Sequence, residues 1–241
     1  MFKHGPSECF KCWAGQSSST QHLGSFRLVR DAGHWGASDP RVLVLGISKG
    51  NTQAQAFRFG NFDDVAFKGV RHRLLAVLQS VSLLLEDTPS SFEKRFGAAE
   101  QDFAFASVVR CSLTGLDKSK GIHTADSPNV IPVFQQNRTG NVFVRNCVDQ
   151  HLVELPSRTR TILLLGNTDK YVEAMSETIA SRRGPVRVVN SMSYESAGVR
   201  FVHLAHPSKG NGHFGNYIRG EGKSGAKRNQ AREALSEPYL A

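Results

Sequence analysis

At 241 residues, with 39% hydrophobic and 21% charged residues, the chain has ordinary globular composition and enough length to bury a core. It has nothing near the roughly 18–20 consecutive apolar residues of a membrane span, and residues 1–13 lack the apolar centre of a secretory signal, so a cytoplasmic protein is expected. A formal charge of +9 and a pI near 9.7 point to a polyanionic partner, through phosphate neutralisation and counterion release.

The chain opens on a CxxC, Cys9 and Cys12, with the other two cysteines, Cys111 and Cys147, far downstream. In a cytoplasmic chain four cysteines so arranged argue against a disulfide framework. Residues 17–40 read as a loop or short strands leading to the first core strand. Four short apolar runs follow, at 41–46 (RVLVLG), 103–111 (FAFASVVRC), 161–166 (TILLLG) and 199–205 (VRFVHLA). Continuous β-branched and Leu-rich runs of this length fit strands buried on both faces of a parallel sheet.

Helical patterns fall between them. Val70, Leu74, Leu75, Leu78, Val81 and Leu85 recur at three- and four-residue spacing, as one helix face requires. Asn167-Thr168-Asp169 marks the start of a helix that Gly184-Pro185 stops after about Arg183. A last helix, about 226–235, is basic and amphipathic, within a basic C-terminal segment, 219–241. Residues 116–142 are polar, contain Gly, Pro and Asn, and read as a long inserted loop. The alternation predicts a single α/β domain over 1–241, a three-layer α/β/α sandwich around a four-stranded, mostly parallel sheet.

In an open parallel sheet ligands bind beyond the carboxyl ends of the strands. The segments there are 46–53 (GISKGNTQ), the stretch around Cys111, 166–170 (GNTDK) and 206–214 (HPSKGNGHF). A His held by Pro directly after a strand, as in His206-Pro207-Ser208, is placed to donate a hydrogen bond to charge developing on a leaving group. The glycines of 46–53 allow close backbone approach to a ligand, but no GK[ST] follows at phosphate-loop spacing.

The order of these elements resembles the uracil-DNA glycosylase superfamily, and within it the iron–sulfur families numbered four and five. The resemblance rests on Cys9 and Cys12, the Gly-rich segment after the first strand, Phe67-Lys68-Gly69, Val108-Val109-Arg110-Cys111, Cys147 opening a helix over 148–155, and 206–215, similar to HPSxxNxxxG. It implies that Cys9, Cys12, Cys111 and Cys147 hold a [4Fe–4S] cluster, with a zinc ion on the same four thiolates as the alternative. The insertion at 116–142 accounts for the wide separation of the last two. It also implies a monomeric enzyme acting on uracil in single- or double-stranded DNA, with other deaminated bases within its scope.

The resemblance further implies roles. Phe67 would stack on the flipped base and His206 would hydrogen-bond the leaving O2. Backbone amides at Gly46, Ile47 and Ser48 would contact the base edge, with Ser107 where family four carries an Asn that reads uracil. The first segment departs from family four in lacking its carboxylates, so Asn51 or Gln53 is left to position water, with Asp63 or Asp64 as alternative sources of negative charge. Ser208 would bind substrate, and residues 209–214, with Asn211 and His213, form the segment expected at the DNA minor groove, with His213 or Phe214 as a wedge. His72, at a helix start, reads as a surface residue. Two other readings stay open: a catalytically weakened, glycosylase-like protein that binds abasic or damaged DNA, and an unrelated α/β enzyme that uses 46–53 as an anion loop.

Overall fold

The computed structural model describes residues 2–13 and 17–236; the last five residues of the basic segment lie outside them. Its strands are β1 (Gly5–Pro6), β2 (Thr20–Leu23), β3 (Phe26–Val29), β4 (Gly33–Gly36), β5 (Val42–Gly46), β6 (Phe103–Ser107), β7 (Ser112–Asp117), β8 (Ile122–Thr124), β9 (Thr161–Leu165), β10 (Arg187–Asn190), β11 (Ser193–Ser196) and β12 (Val199–Leu204). Its helices are α1 (Asn51–Phe59), α2 (Arg71–Ser80), α3 (Pro89–Lys94), α4 (Ser127–Val130), α5 (Asn141–His151), α6 (Asp169–Arg183), α7 (Phe214–Arg219) and α8 (Gly222–Ala234).

The four apolar runs form the parallel centre, β6-β5-β9-β12. The expected four-stranded sheet is nevertheless corrected. The large sheet has eight strands in the order β1-β4-β6-β5-β9-β12-β11-β10, its outer pairs antiparallel, and a second, four-stranded sheet runs β2-β3-β7-β8. The added strands are two to six residues long and carry glycines (GHWG in β4), serines (SYES in β11) or a mixed pattern, so they lack the long apolar run that marks a doubly buried strand.

Successive side chains of the central strands alternate between two cores, as the period-two geometry of a strand requires. Leu43, Leu45, Ala104, Ala106, Ile162 and Leu164 pack with α5, α6 and the second sheet. Val42, Val44, Phe103, Phe105, Leu163 and Leu165 pack with α2, α3, α7 and α8. Helices therefore lie on both faces of the sheet, and the loops after β5, β6 and β12 emerge at one end of it. Among the described residues, no helix is long and apolar enough to cross a membrane.

Other expectations need correcting. The helix expected over 70–85 stops at Ser80: Ser82 and Leu84 take positive φ (67° and 54°), and the Gln79 amide caps the turn by donating to the carbonyls of Leu84 and Asp87. Cys147 sits within α5 rather than opening a helix. The basic C-terminal stretch, as far as residue 236, is largely a packed helix: Ala231 and Ala234 are buried, whereas Lys223 and Arg232 are exposed.

The largest correction concerns 116–142, which is not a loop. It contains the end of β7, β8, α4 and a 3-10 turn over Ile131–Phe134, and it buries Val130, Val133 and Phe134 in the core. Gly115 permits this docking, since a Cβ there would stand 1.9 Å from the carbonyl oxygen of Asn129. Phe134→Ala is accordingly expected to lower unfolding free energy by about 3–5 kcal/mol in denaturant titration. A loss below about 1 kcal/mol, ordinary for a surface site, would show the segment to be peripheral.

Candidate functional site

The segment after β5 is held by its backbone. The Gly46 carbonyl accepts from Val108 N–H (2.8 Å) and the Ile47 carbonyl from Val109 N–H (3.1 Å), while the Ile47 side chain anchors in the core. Lys49 turns inward: it is 2% exposed, pairs with Asp31 at 3.3 Å and donates to the Arg110 carbonyl. This buried pair ties the Gly-rich segment to the turn carrying Cys111. Chain direction then reverses into α1, whose N-cap is Gly50, with no side-chain cap and no acid in the first turn. The first N–H groups of α1 and the positive end of its dipole are thus left uncompensated by side chains.

Phe67 lies in a tight turn before α2 with φ of 54°, a left-handed conformation that costs on the order of 1 kcal/mol or more for a bulky residue. Its ring packs on Phe96 and Phe105 with centroids 6.5 and 6.4 Å away, and it presses against Gly46: a Cβ there would stand 3.4 Å from Phe67 Cε1 and 3.6 Å from Ser107 Oγ. Gly46 lets strand end, ring and hydroxyl meet.

His206 follows β12. Its Nδ1 accepts from Ser208 N–H at 3.1 Å, which leaves the proton of the neutral ring on Nε2. Burial lowers its pKa to about 4, so the ring is neutral near pH 7. Among the described residues Nε2 has no hydrogen-bond partner. The loop is fixed from two sides: Asn211 Nδ2 donates to the His206 carbonyl (2.9 Å), and Arg73 donates to the carbonyls of Pro207 (2.7 Å) and Ser208 (3.0 Å) with its guanidinium 3.6 Å from the Phe214 ring centroid. Arg73→Ala removes two donors and a stacked cation together. It is expected to cost about 1–3 kcal/mol and to speed amide exchange across 207–214. Unchanged exchange there would show that the loop holds its shape without Arg73.

These elements meet at one cleft of about 540 Å³. Gly46, Ile47, Ser48, Asn51 and Gln53 line it, together with Phe67, Ser107, His206 and Ser208. Asn211 acts behind it through the His206 carbonyl. His213 does not reach it and stands exposed at the N-cap of α7, and Phe214, expected as an alternative wedge, is packed under Arg73. Asp63 and Asp64 do not line it either. Asp63 pairs with His4 at 2.9 Å, and Asp64 lines a separate, smaller cleft with Arg71, His72 and Glu93; His72 is exposed there. Lys68 and Asp126, given no role from the sequence, also line the main cleft, as does Lys209 of the segment expected at the minor groove. Lys68 and Lys209 lay inside motifs already singled out, but Asp126 sits in the segment read as a loop and carried no signal.

The cysteines belong to one of the two cores. Cys9 and Cys12 pack against the core that holds Cys111 and Cys147, and Asn146 Nδ2 donates to Cys12 Sγ at 3.4 Å. Burial pushes the Cys111 thiol up to about 11 and the Cys147 thiol higher still, with the neighbouring cysteines adding to both shifts. Beside them Arg110 is 4% exposed, its guanidinium 5.3 Å from the Phe2 ring centroid, and neither Nη1 nor Nη2 has a hydrogen-bond partner among the described residues. Burial lowers its pKa to about 10, opposed by Cys147 and Cys9. Among the described residues, no three His, Cys, Asp or Glu side chains are spaced as ligands of a single metal ion.

Comparison with known proteins does not place the chain: no protein-family model matches it, and no curated protein does.

Proposed function

We propose that this protein is a DNA glycosylase that takes a flipped uracil, or another deaminated base, into the cleft and hydrolyses its N-glycosidic bond to leave an abasic site. The observation that carries the reading is the convergence of Gly46–Ser48, Phe67, Ser107 and His206 on one cleft, with His206 Nε2–H uncommitted. A volume of about 540 Å³ has room for a nucleoside.

Breaking the bond leaves electron pair and negative charge on the base, while the sugar becomes oxocarbenium-like. His206 donates from Nε2 to the base oxygen where that charge gathers; as a neutral donor it needs no proton transfer. Phe67 supplies an aromatic wall, and Ser107 a hydroxyl for the base edge. Asn51 and Gln53 orient water without taking its proton, because an amide is no base near pH 7. Lys68, Lys209 and the start of α1 face the strand with positive charge, and phosphate contacts offset the few kcal/mol of unstacking the base.

Cys9, Cys12, Cys111 and Cys147 would hold a [4Fe–4S] cluster. In support, the Arg110 guanidinium, stacked on Phe2, lies beside these thiols with no hydrogen-bond partner at Nη1 or Nη2 and no ion pair among the described residues: a buried cation without an anion is costly, and an anionic thiolate-bound centre is the counter-charge it lacks. Bound there, the cluster would fasten the N-terminal segment to α5 and take no part in hydrolysis.

The reading is tested by incubating the full chain with single- and double-stranded DNA containing one uracil and measuring base release. Release supports it. Tight binding to abasic DNA with no release from any deaminated base would favour the weakened, damage-binding alternative, which the absence of carboxylates from 46–53 suggests.

A further inference from the structure

We propose that Asp126 is the carboxylate that activates the attacking water, a role that rests on the glycosylase reading above. Among the described residues that line the cleft, it is the only Asp or Glu. Its carboxylate makes no hydrogen bond and no ion pair among the described residues, although its main chain is well held. The Asp126 carbonyl accepts from Asn129 N–H (2.9 Å) and Val130 N–H (3.1 Å), and its own N–H donates to Thr124 Oγ1 at 3.4 Å. An aspartate at this helix position ordinarily turns back to cap the first N–H groups. Here it occupies the N-cap of α4 and makes no such bond.

The segment is rigid enough to place the group. Val130, Val133 and Phe134 fix α4 and the following turn in the core, and Asn129 Nδ2 donates to Thr124 Oγ1 at 2.9 Å. A reactive group carried on packed elements keeps its geometry better than one on a free loop. Charge points the same way. Lys68, Lys209 and the α1 N-terminus suit the leaving base and the phosphates, yet none of them takes a proton from water near pH 7 or stabilises a cationic sugar. A carboxylate does both.

The step balances with water alone. The C1′–N1 bond breaks with its electron pair leaving on the base, and water oxygen bonds to C1′. One water proton passes to the Asp126 carboxylate and on to solvent. The base anion, held by His206 Nε2–H, takes a proton from solvent, so the products are an abasic sugar and the neutral base.

The test is single-turnover uracil release by the full chain, alongside DNA affinity and Tm. Asp126→Asn keeps shape and main-chain contacts, and is expected to slow release by about 10²–10⁴-fold with affinity and Tm little changed, while Asp126→Glu retains more activity than Asn. If wild type is active and Asp126→Asn stays within about threefold of it, or loses rate only as it loses affinity, this role is overturned and the glycosylase reading stands. If wild type releases no base at all, the reading falls, and the role with it.

Discussion

His206→Ala is expected to slow single-turnover uracil release by about 10²–10⁴-fold while leaving DNA affinity nearly unchanged, because the lost hydrogen bond forms fully only as charge reaches the base. His206→Gln, which keeps an N–H donor on a different arm, is expected to recover part of the rate. The tautomer makes the expectation specific: Ser208 N–H occupies Nδ1, so only Nε2–H remains to donate. The pH dependence follows with a definite sign. His206 and His203 are both held neutral by burial, each lowered to about 4 from an ordinary value of 6.5. The unfolded chain binds protons at these rings below pH 6.5 and the folded chain does not, so their contribution to stability is intact above 6.5 and falls as pH drops toward 4. The His206 donor therefore works unchanged from pH 7 to 5. A wild-type rate that falls tenfold as pH rises through 6.5, with no corresponding loss in His206→Ala, would mean that the imidazolium does the work instead.

Cys147→Ser is expected to abolish the brown colour and bound iron of anaerobically purified protein and to lower Tm by about 10 °C or more. The magnitude comes from Arg110. Its guanidinium sits beside Cys147 with no hydrogen-bond partner at Nη1 or Nη2 among the described residues, and leaving a buried charge uncompensated costs about 3–5 kcal/mol. Metal and sulfide analysis separates the two candidate centres: iron with sulfide for a cluster, zinc without sulfide for a four-thiolate zinc site. Protein that carries neither metal, with equal Tm for wild type and variant, would sink both. The cysteines and the cleft are mechanically linked through Lys49, which joins the Gly-rich segment to the Arg110 carbonyl and Asp31. Loss of the centre is therefore expected to disturb the cleft as well as stability.

Much of this architecture was legible in residue order. The runs at 41–46, 103–111, 161–166 and 199–205 are mostly apolar, with Ser107, Thr161, Arg200 and His203 as buried polar exceptions, and they supply the four parallel strands at the centre of the sheet. Because a parallel sheet presents its strand ends on one edge, naming those strands also named the loops, and 46–53, Ser107 and His206 do line one cleft. Strands outside the centre were read only as far as a loop or short strands over 17–40, because the edge strands are short and paired on one side, so their composition is set by turns and solvent more than by burial. The helix over 70–85 was overextended because apolar spacing continues into a turn that Gln79 closes by hydrogen bonds.

What only the tertiary structure decided is where 116–142 goes. Its polar composition describes the faces it shows to solvent; its docking rests on three buried side chains and on the absence of a Cβ at Gly115, neither of which makes a periodic pattern. Periodicity reports how one element meets one surface, whereas a cleft wall is made by elements that meet each other. Asp126 reaches the cleft by that second route, just as Asp63 and Asp64, nearer in sequence to Phe67, are led away from it by His4 and by the turn before α2.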